Sequence, residues 1–297
     1  MYLMNLEEIL AYSIEKNAAD INIIEDMPLS FRINKSIVKM RENVIDKEIA
    51  RMAVRQLTDS DASYAELYKP APIDGSYKFS YKNKNYYFRY NISLTERRIA
   101  ISIRKLINEV PDFRKIQMDE PNMMKFLEKM NRVEEGLFLV VGATGSGKST
   151  TIVTALDYIM KNNPIKVISL EAPIEFYFDD SKYENSIILQ REIGKDTDSF
   201  YQGLVDAMRQ NPDVIFVGEI RDKRTAEAAL NAALTGHMVV ATLHASGIDK
   251  TFDRMKYLLE GVTNDFSFIS GIVYQKLVKD QTLGVKAVRD VYINEEN

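Results

Sequence analysis

The octapeptide GATGSGKS, residues 142–149, constrains the fold more than any other part of this chain. It matches the G-x-x-x-x-G-K-[ST] pattern of a phosphate-binding loop and stands between the apolar run GLFLVV and the helical run STTIVTALDYIM. Glycines let such a loop curl so that several N–H groups face one anion, and the positive end of the next helix points at the same place. The loop therefore predicts a strand, a phosphate site and a helix, in that order.

The residues expected to hold a nucleotide follow from this match. Lys148 supplies a point charge for the β- and γ-phosphates, and Ser149 supplies a hydroxyl ligand for Mg²⁺. Glu171 and Glu219 are alternative partners that would reach the same ion through water. The predicted binding residues are Gly142, Ala143, Thr144, Gly145, Ser146, Gly147, Lys148, Ser149 and Thr150.

The pattern of apolar residues changes along the chain. Beyond residue 120, helical stretches alternate with continuous apolar runs, namely GLFLVV, IKVISL, DVIFVG and HMVVATL, which are typical of a parallel sheet covered by helices on both faces. The first third instead mixes short helices with alternating strands such as YYFRYNIS. We therefore predict an α/β fold with an α+β domain over 1–110, a linker over 111–120 and a nucleotide-binding domain over 121–297.

The composition excludes several kinds of site. The 297-residue chain has no cysteine, so it forms no disulfide and no thiolate-ligated metal site. Its formal charge of −4 argues against direct binding of nucleic acid. No apolar run approaches the roughly 18–20 residues that span a bilayer, and the N-terminal stretch lacks the pattern of a signal peptide. We expect a cytoplasmic protein that docks peripherally at the inner face of the cell membrane.

Two carboxylates that follow apolar runs are candidates for catalysis. Glu219 comes after VIFVG, at the carboxyl end of a strand, where ligands and catalytic groups collect in open α/β sheets. It can accept a proton from water or hold the water through a metal ion. Glu171 follows IKVISL and can assist in the same way, although a strand-end carboxylate can also be a solvated charge. Asp222 has two interpretations, as a partner that orients Glu219 and as the N-cap of the next helix.

The only two histidines, His237 and His244, stand at opposite ends of the run HMVVATLH. They lack cysteines and carboxylates at a helical ligand spacing, which argues against a metal site. His244 ends the predicted strand on the ligand side and is expected to hydrogen-bond toward the γ-phosphate region. His237 lies at the entrance of the strand, so a structural role or a contact between subunits is expected there.

These motifs resemble those of the secretion ATPase superfamily of type II secretion and type IV pili, over nearly the whole chain. GATGSGKST is similar to its Walker A motif, NPDVIFVGEIRD to its Walker B motif and TGHMVVATLHAS to its His box. SLEAPIEF is similar to its Asp box, with Ala172 in place of the usual aspartate and both glutamates retained. The resemblance implies a PAS-like α+β N-terminal domain, a C-terminal RecA-like P-loop ATPase domain, hydrolysis of ATP with Mg²⁺, and a homohexameric ring.

The same resemblance implies that arginines of the N-terminal domain reach the nucleotide, and the matching residues are Arg89 and Arg104. A hairpin centred between Glu96 and Arg97 would place these two arginines opposite each other on one polar face. Like charges in that position repel, so a phosphate shared between them is predicted, as for an arginine finger. The alternative is a pair of arginines on a hydrated sheet face.

The stretch LQREIGKDTDSF, residues 189–200, is more similar to the retraction ATPases of type IV pili than to the assembly branch. The expected function is a motor that removes pilin subunits through a platform protein of the inner membrane. Assembly of a pilus or of a competence pseudopilus, and type II secretion, remain open. Ala172 also keeps open a nucleotide-gated scaffold with little turnover, because one carboxylate is missing there. The net charge disfavours a motor that transfers DNA.

Overall fold

The computed structural model describes residues 5–59, 72–106, 110–280 and 284–295. The chain divides into two compact units, Met1–Asn108 and Glu109–Asn297. Each unit has its own sheet and its own apolar core. Within the described ranges, no helix is both long enough and apolar enough to cross a membrane.

The first unit is built on a six-stranded antiparallel sheet. Its described elements are α1 (Leu6–Glu15), β1 (Asp20–Ile24), β2 (Pro28–Ile33), β3 (Ser36–Val44), α2 (Lys47–Thr58), β4 (Ile73–Tyr81), β5 (Lys84–Thr95) and β6 (Arg98–Lys105). The strand order is β3-β2-β1-β6-β5-β4. Asn5 and Asp46 cap the two helices by accepting backbone N–H groups of their first turns. The apolar residues of both helices pack on one face of the sheet.

The hairpin of β5 and β6 has the register that its sequence predicts. Glu96 and Arg97 form the turn with φ of 50° and 66°, the left-handed pair that suits a tight hairpin. Arg89 consequently lies directly opposite Arg104. The alternating apolar residues of β5 are buried under the helices, and both arginines are exposed on the other face.

The second unit is a seven-stranded sheet with helices on both faces. Its described elements are α3 (Pro121–Met130), β7 (Gly136–Val141), α4 (Lys148–Asn162), β8 (Lys166–Glu171), a 3₁₀ turn (Asp180–Lys182), β9 (Ile187–Glu192), α5 (Phe200–Met208), β10 (Val214–Val217), α6 (Lys223–Leu234), β11 (Met238–Leu243), α7 (Ile248–Leu258), β12 (Ile269–Asp280) and β13 (Gly284–Ile293). The strand order is β13-β12-β7-β11-β10-β8-β9. Only β13, which pairs with β12, runs antiparallel to its neighbour.

The central strands are buried on both sides, as their continuous apolar runs predict. Leu137, Leu139 and Val141 pack with α5, α6 and α7, while Phe138 and Val140 pack with α3 and α4. Two separate apolar clusters therefore cover the two faces of the sheet. Because β7, β8, β10 and β11 are parallel, their carboxyl ends, and the segments that follow them, meet at one edge.

The segment 111–120 packs on the second unit, although Pro111 and Pro121 at its two ends predict a linker. Met118 is fully buried in the cluster of α3 and α4. The ring of Phe113 stacks on that of Tyr158 in α4, with centroids 5.7 Å apart. The segment is thus held by the same core that supports the phosphate loop.

Candidate nucleotide site

A cavity of about 270 Å³ opens at the carboxyl ends of β7, β8, β10 and β11. The phosphate loop follows β7 and forms one wall, and the segments after β8, β10 and β11 complete it. This edge is where parallel α/β sheets bind ligands. Of the residues predicted from the sequence, Thr144, Gly145, Lys148, Ser149, Glu171, Glu219 and His244 line the cavity.

The phosphate loop has the curled backbone that its glycines allow. Gly142 and Gly147 have φ of 153° and 85°, which residues with a Cβ rarely adopt. A Cβ on Gly142 would also lie 2.3 Å from the carbonyl oxygen of Gln275. Gly147 is the N-cap of α4, so the positive end of that helix faces the loop. An anion there meets backbone N–H groups and a helix N-terminus together.

Lys148, the first residue of α4, lies over this loop. Its ammonium donates to the carbonyl oxygens of Gly142 and Ala143, both at 3.0 Å. Burial lowers the pKa of Lys148, and the nearby charges of Glu219 and Glu175 act in the opposite direction. The lysine thus sits between the loop and the carboxylates, where it can neutralise phosphate oxygens.

Glu219 is held in place by two side chains. Its Oε2 accepts a hydrogen bond from Nη2 of Arg221 at 2.6 Å, and its Oε1 lies 3.3 Å from Nε2 of His244. Nδ1 of His244 lies 3.1 Å from the carbonyl oxygen of Gly142. Both neighbours of the imidazole are acceptors, so only its doubly protonated form donates to both. His244 therefore connects the carboxylate after β10 to the phosphate loop after β7.

Glu171 occupies a different environment, because it is buried at the end of β8. Its Oε1 accepts from the hydroxyl of Ser169 at 2.7 Å and from the amide of Gln190 at 3.3 Å. Burial raises the pKa of Glu171 to about 7, against the lowering effect of these hydrogen bonds. Glu175 and Ala172 are exposed at the rim of the same cavity. The site thus holds the carboxyl group of Glu171, whose pKa burial raises to about 7, together with the side chains of Glu175 and Glu219.

Asp222 has the second of its two predicted roles, that of a helix N-cap. Its side chain accepts the backbone N–H of Thr225 at 2.9 Å and the hydroxyl of the same residue at 2.9 Å. It is therefore the N-cap of α6. Arg221, rather than Asp222, is the residue that contacts Glu219.

The structure separates the two histidines. His237 precedes β11 at the opposite edge of the sheet, where its carbonyl oxygen accepts from the N–H of Gly136. At about 3.3 Å per residue, seven positions along a strand correspond to roughly 23 Å. Nδ1 of His237 is buried and lacks a hydrogen-bond partner among the described residues. His244 borders the cavity, and His237 does not.

The sequence matches a family of known proteins over nearly its whole length. The family described as Type II/IV secretion system protein matches residues 3–292. The type IV pilus ATPase PilU of Pseudomonas aeruginosa is 30% identical over 98% of this chain and 75% of its own length. The retraction ATPase PilT of the same organism is 31% identical over 85% of this chain and 70% of its own. This chain belongs to the type II/IV secretion ATPase family.

A crystal structure of the pilus retraction motor PilT with bound ADP supports the same assignment for the fold. It superposes with a TM-score of 0.83 at 32% identity, over 99% of this chain and 84% of that one. The predicted α/β fold, an N-terminal domain followed by a RecA-like ATPase domain, is confirmed. Membership in this family of ATPases also confirms the predicted enzyme class.

The oxygen donors of this secretion ATPase suit a magnesium ion that arrives with a nucleotide. In the part of the chain that the structure describes, no three His, Asp or Glu side chains are grouped to hold a metal by themselves. Mg²⁺ keeps several waters and takes one or two protein ligands beside substrate phosphates. Ser149 faces the cavity together with Glu171 and Glu219. This donor set fits such an ion.

Arg89 and Arg104 lie opposite each other as predicted, but their repulsion does not by itself require a phosphate between them. Asp20 in β1 also pairs with Arg104, and its Oδ1 accepts a hydrogen bond from Nε of Arg104 at 2.7 Å. A carboxylate of the same sheet therefore already balances this arginine. The sequence of the hairpin gives no sign of Asp20, because β1 precedes β6 by some eighty residues and pairs with it only in the folded sheet. Arg89 makes no ion pair with any described residue.

Sequence patterning also missed the polar residues behind the phosphate loop. Gln275 in β12 donates to the carbonyl oxygen of Ser146 at 2.6 Å, and Arg289 in β13 donates to Gln275. A second cavity, of about 170 Å³, lies on this side of the loop and is lined by Gly147 and Thr150 among others. The one available signal is Gln275, which with Lys276 interrupts the apolar residues of GIVYQKLV.

Proposed function

We propose that this secretion ATPase is a homohexameric motor that hydrolyses ATP to withdraw pilin subunits from a type IV pilus. One observation carries the proposal: Lys148, Glu219 and His244 converge on the cavity beside the phosphate loop. The loop N–H groups and Lys148 bind the phosphates. Glu219 then faces the region where water must attack.

The chemistry requires little more than positioning and charge. In phosphoryl transfer, a residue orients the attacking water while cations stabilise the charge on the transferred group. Glu219 is suited to the first task because it is mostly buried and is fixed by Arg221 and His244. Lys148 is suited to the second because its ammonium lies over the loop. Glu171, which has Ser169 as a hydrogen-bond donor, is proposed to position water from the β8 side.

The base is proposed to occupy the second cavity, on the other side of the loop. Gly147 and Thr150 border this cavity together with the apolar side chains of Leu277 and Val285. ATP would then cross the loop with its phosphates on Lys148.

A bound Mg²⁺ would supply positive charge that stabilises the phosphate oxygens during transfer. In this chain Ser149 is the proposed direct ligand. Glu171 or Glu219 acts through water.

Arg89 and Arg104 are proposed to act on nucleotide held by a neighbouring subunit of the ring. Both lie on the exposed face of β5 and β6, where a second molecule has access to them. Loss of the γ-phosphate would release them and allow the first unit to swing, which is a hinge switch of a known kind. Light scattering of the purified protein with nucleotide tests the ring, and a mass of six chains is expected.

The direction of the motor is proposed from the similarity to the retraction ATPase PilT, and from LQREIGKDTDSF, which forms the end of β9 and the turn into α5. The proposed partner is a platform protein of the inner membrane, with this chain at the cytoplasmic side. Cells that lack the protein are expected to carry excess pili. Cells without pili would contradict retraction and indicate assembly.

Turnover is tested by release of phosphate from ATP in the presence and absence of Mg²⁺. Lys148→Ala should abolish most of the Mg²⁺-dependent release because it removes the cation of the loop. Lys182→Ala is a matched control, since Lys182 lies exposed on the 3₁₀ turn away from the cavity. Equal rates for the two variants would contradict the assigned phosphate site.

A second candidate function, a nucleotide-gated scaffold with little turnover, is favoured by Ala172. At this position the family usually has a carboxylate, and the neighbouring Glu171 is buried with its pKa raised to about 7. Nucleotide binding and ring assembly without steady phosphate release would support the scaffold. Sustained release would dismiss it.

A further inference from the structure

Gln275 contacts the phosphate loop from behind through both its side chain and its backbone. The side chain is buried in β12, and its amide Nε2 donates to the carbonyl oxygen of Ser146 at 2.6 Å. Cβ atoms built on Gly142 and Gly147 would lie 2.3 Å from the backbone oxygen and 2.7 Å from Nε2 of Gln275. Both ends of the loop therefore rest on one residue of the neighbouring strand.

The orientation of the Gln275 amide is determined by its partners. Its Oε1 accepts from the hydroxyl of Thr151 at 2.6 Å and from Nε of Arg289 at 2.9 Å. With two donors on the oxygen, the nitrogen must face Ser146. Arg289 lies directly opposite Gln275 in the β12–β13 ladder, so the register of the hairpin brings the two side chains together.

Arg289 is a partly buried cation that has no carboxylate partner among the described residues. It makes no salt bridge with a described residue. Its guanidinium instead donates to neutral oxygens, those of Gln275, of Gln117 at 3.2 Å and of Thr151 at 3.4 Å. Burial lowers the pKa of Arg289, although the more distant charge of Glu120 opposes this. A cation in a partly buried position without a carboxylate still costs stability, which points to a role for Arg289 in the geometry it imposes.

The hydrogen bond from Gln275 to the Ser146 carbonyl also orients an N–H group of the phosphate loop, because the peptide bond between Ser146 and Gly147 is planar. In a trans peptide the C=O and the N–H of the next residue point in opposite directions. The Ser146 carbonyl points at Gln275, so the N–H of Gly147 points away from β12, toward the other side of the loop. The hydrogen bond that fixes the Ser146 carbonyl therefore also fixes the direction of the Gly147 N–H, which can donate to a phosphate.

We propose that Gln275 and Arg289 are positioning residues that hold the phosphate loop in its anion-binding conformation. We call this pair of residues the brace. Arg289 also connects the brace to the turn of the segment 111–120, because its guanidinium donates to the carbonyl oxygen of Gln117. This inference rests on the proposed nucleotide site, because it concerns the conformation in which the loop of that site binds phosphate. It places the support of the loop in the C-terminal hairpin rather than in the Walker motifs.

Gln275→Glu is the sharpest test, because it preserves size and the acceptor for Arg289 and replaces the donor to Ser146 by a second acceptor. The Kd for ATP, measured by calorimetry, should rise about tenfold or more, as expected for loss of a buried hydrogen bond. KM should rise by more than kcat falls. The nucleotide-free protein should keep its Tm within a few degrees, because Arg289 can pair with the new carboxylate.

Arg289→Met and Arg289→Lys form the second arm, and Lys276→Gln is the control on the exposed side of β12. Arg289→Met should weaken ATP binding as Gln275→Glu does, and Arg289→Lys should restore part of it. Amide exchange of the loop in nucleotide-free protein should speed up in Gln275→Glu and Arg289→Met, and stay unchanged in the control.

ATP binding by Gln275→Glu within twofold of the wild type would overturn the brace, as would losses that only follow the drop in Tm. Failure of the wild-type protein itself to bind ATP would instead overturn the proposed function. The two failures are therefore distinguishable.

Discussion

Asp20 forms hydrogen bonds to arginines on both sides of its strand, to Nε of Arg104 at 2.7 Å and to Nε of Arg32 at 2.9 Å. The three residues occupy one row across β6, β1 and β2. Arg89 continues this row on β5, opposite Arg104. An arginine proposed to reach a nucleotide thus has a carboxylate partner in its own sheet, and any phosphate must compete with that carboxylate.

The first prediction concerns the stability that Asp20 contributes. Burial opposes the shift, but the hydrogen bonds and charges of Arg104 and Arg32 lower the pKa of Asp20 below its ordinary value of 3.8. A carboxylate with a lowered folded-state pKa stabilises the protein above its unfolded-state value, and this contribution is lost as the pH falls through the folded-state value. Asp20→Asn should therefore lower the free energy of unfolding at pH 7 by about 1 kcal/mol, a small value because both arginines are well exposed.

Urea denaturation at pH 7 and near pH 3 measures this effect. The difference between Asp20→Asn and the wild type should shrink at the lower pH. A difference that is equal at both pH values would contradict the ion-pair interpretation. Asp26→Asn provides a comparison in the same unit, because Asp26 follows β1 in a turn.

The second prediction concerns Glu171. Burial raises its pKa to about 7 from an ordinary value of 4.5, so between these values the folded protein binds more protons than the unfolded chain. Folding stability from this group should fall as the pH rises from about 4.5 to about 7 and change little above that. Glu171→Gln removes the titration and should gain stability relative to the wild type between pH 5 and pH 8, by no more than about 3 kcal/mol.

Thermal unfolding of both proteins across this pH range is the measurement. Glu175→Gln, at the exposed rim of the same cavity, is the control and should follow the wild-type profile. A constant difference between Glu171→Gln and the wild type would show that Glu171 is charged throughout.

The third prediction separates the two histidines. His244→Ala removes the contact between Glu219 and the loop carbonyl of Gly142, so ATP turnover should fall by about tenfold or more, in the range for a lost hydrogen bond to a charged group. His237→Ala, at the far edge of the sheet, should leave turnover within about twofold. Steady-state kcat measured on both variants tests the separation. A greater loss at His237 would contradict it.

The phosphate loop and the strand-end carboxylates could be predicted because their signals are local. A glycine pattern specifies the curl around residues 142–147, and continuous apolar runs identify parallel strands whose carboxyl ends must share an edge. Glu219 and His244 follow two such runs, so their proximity follows from the sheet alone. The approach of Gln190 to Glu171 has no local signal, because it depends on the pairing of β8 with β9.

Contacts that depend on long-range strand order could not be predicted in this way. Asp20 meets Arg104 only because β1 inserts between β2 and β6. Gln275 meets Ser146, 129 positions earlier, only because β12 pairs with β7. The stretch 111–120 was predicted as a linker from the prolines at its ends, whereas the burial of Met118 depends on a cluster formed by α3 and α4. In each case the signal lies in tertiary pairing rather than in local spacing.

The central claim is that Glu219 orients the water that attacks the γ-phosphate. Glu219→Gln keeps the size of the side chain and removes its charge, so ATP should still bind at the loop. The rate of phosphate release should fall by about a hundredfold or more, as expected for loss of a general base. Glu227→Gln on α6, outside the cavity, is the matched control and should keep the wild-type rate.

The most direct measurement is therefore phosphate release from saturating Mg²⁺-ATP by the wild type, Glu219→Gln and Glu227→Gln, with ATP binding measured on the same preparations. Steady release is expected from the wild type and the control, and bound but unhydrolysed ATP is expected on Glu219→Gln. Hydrolysis by Glu219→Gln at the wild-type rate would contradict the proposed role of Glu219.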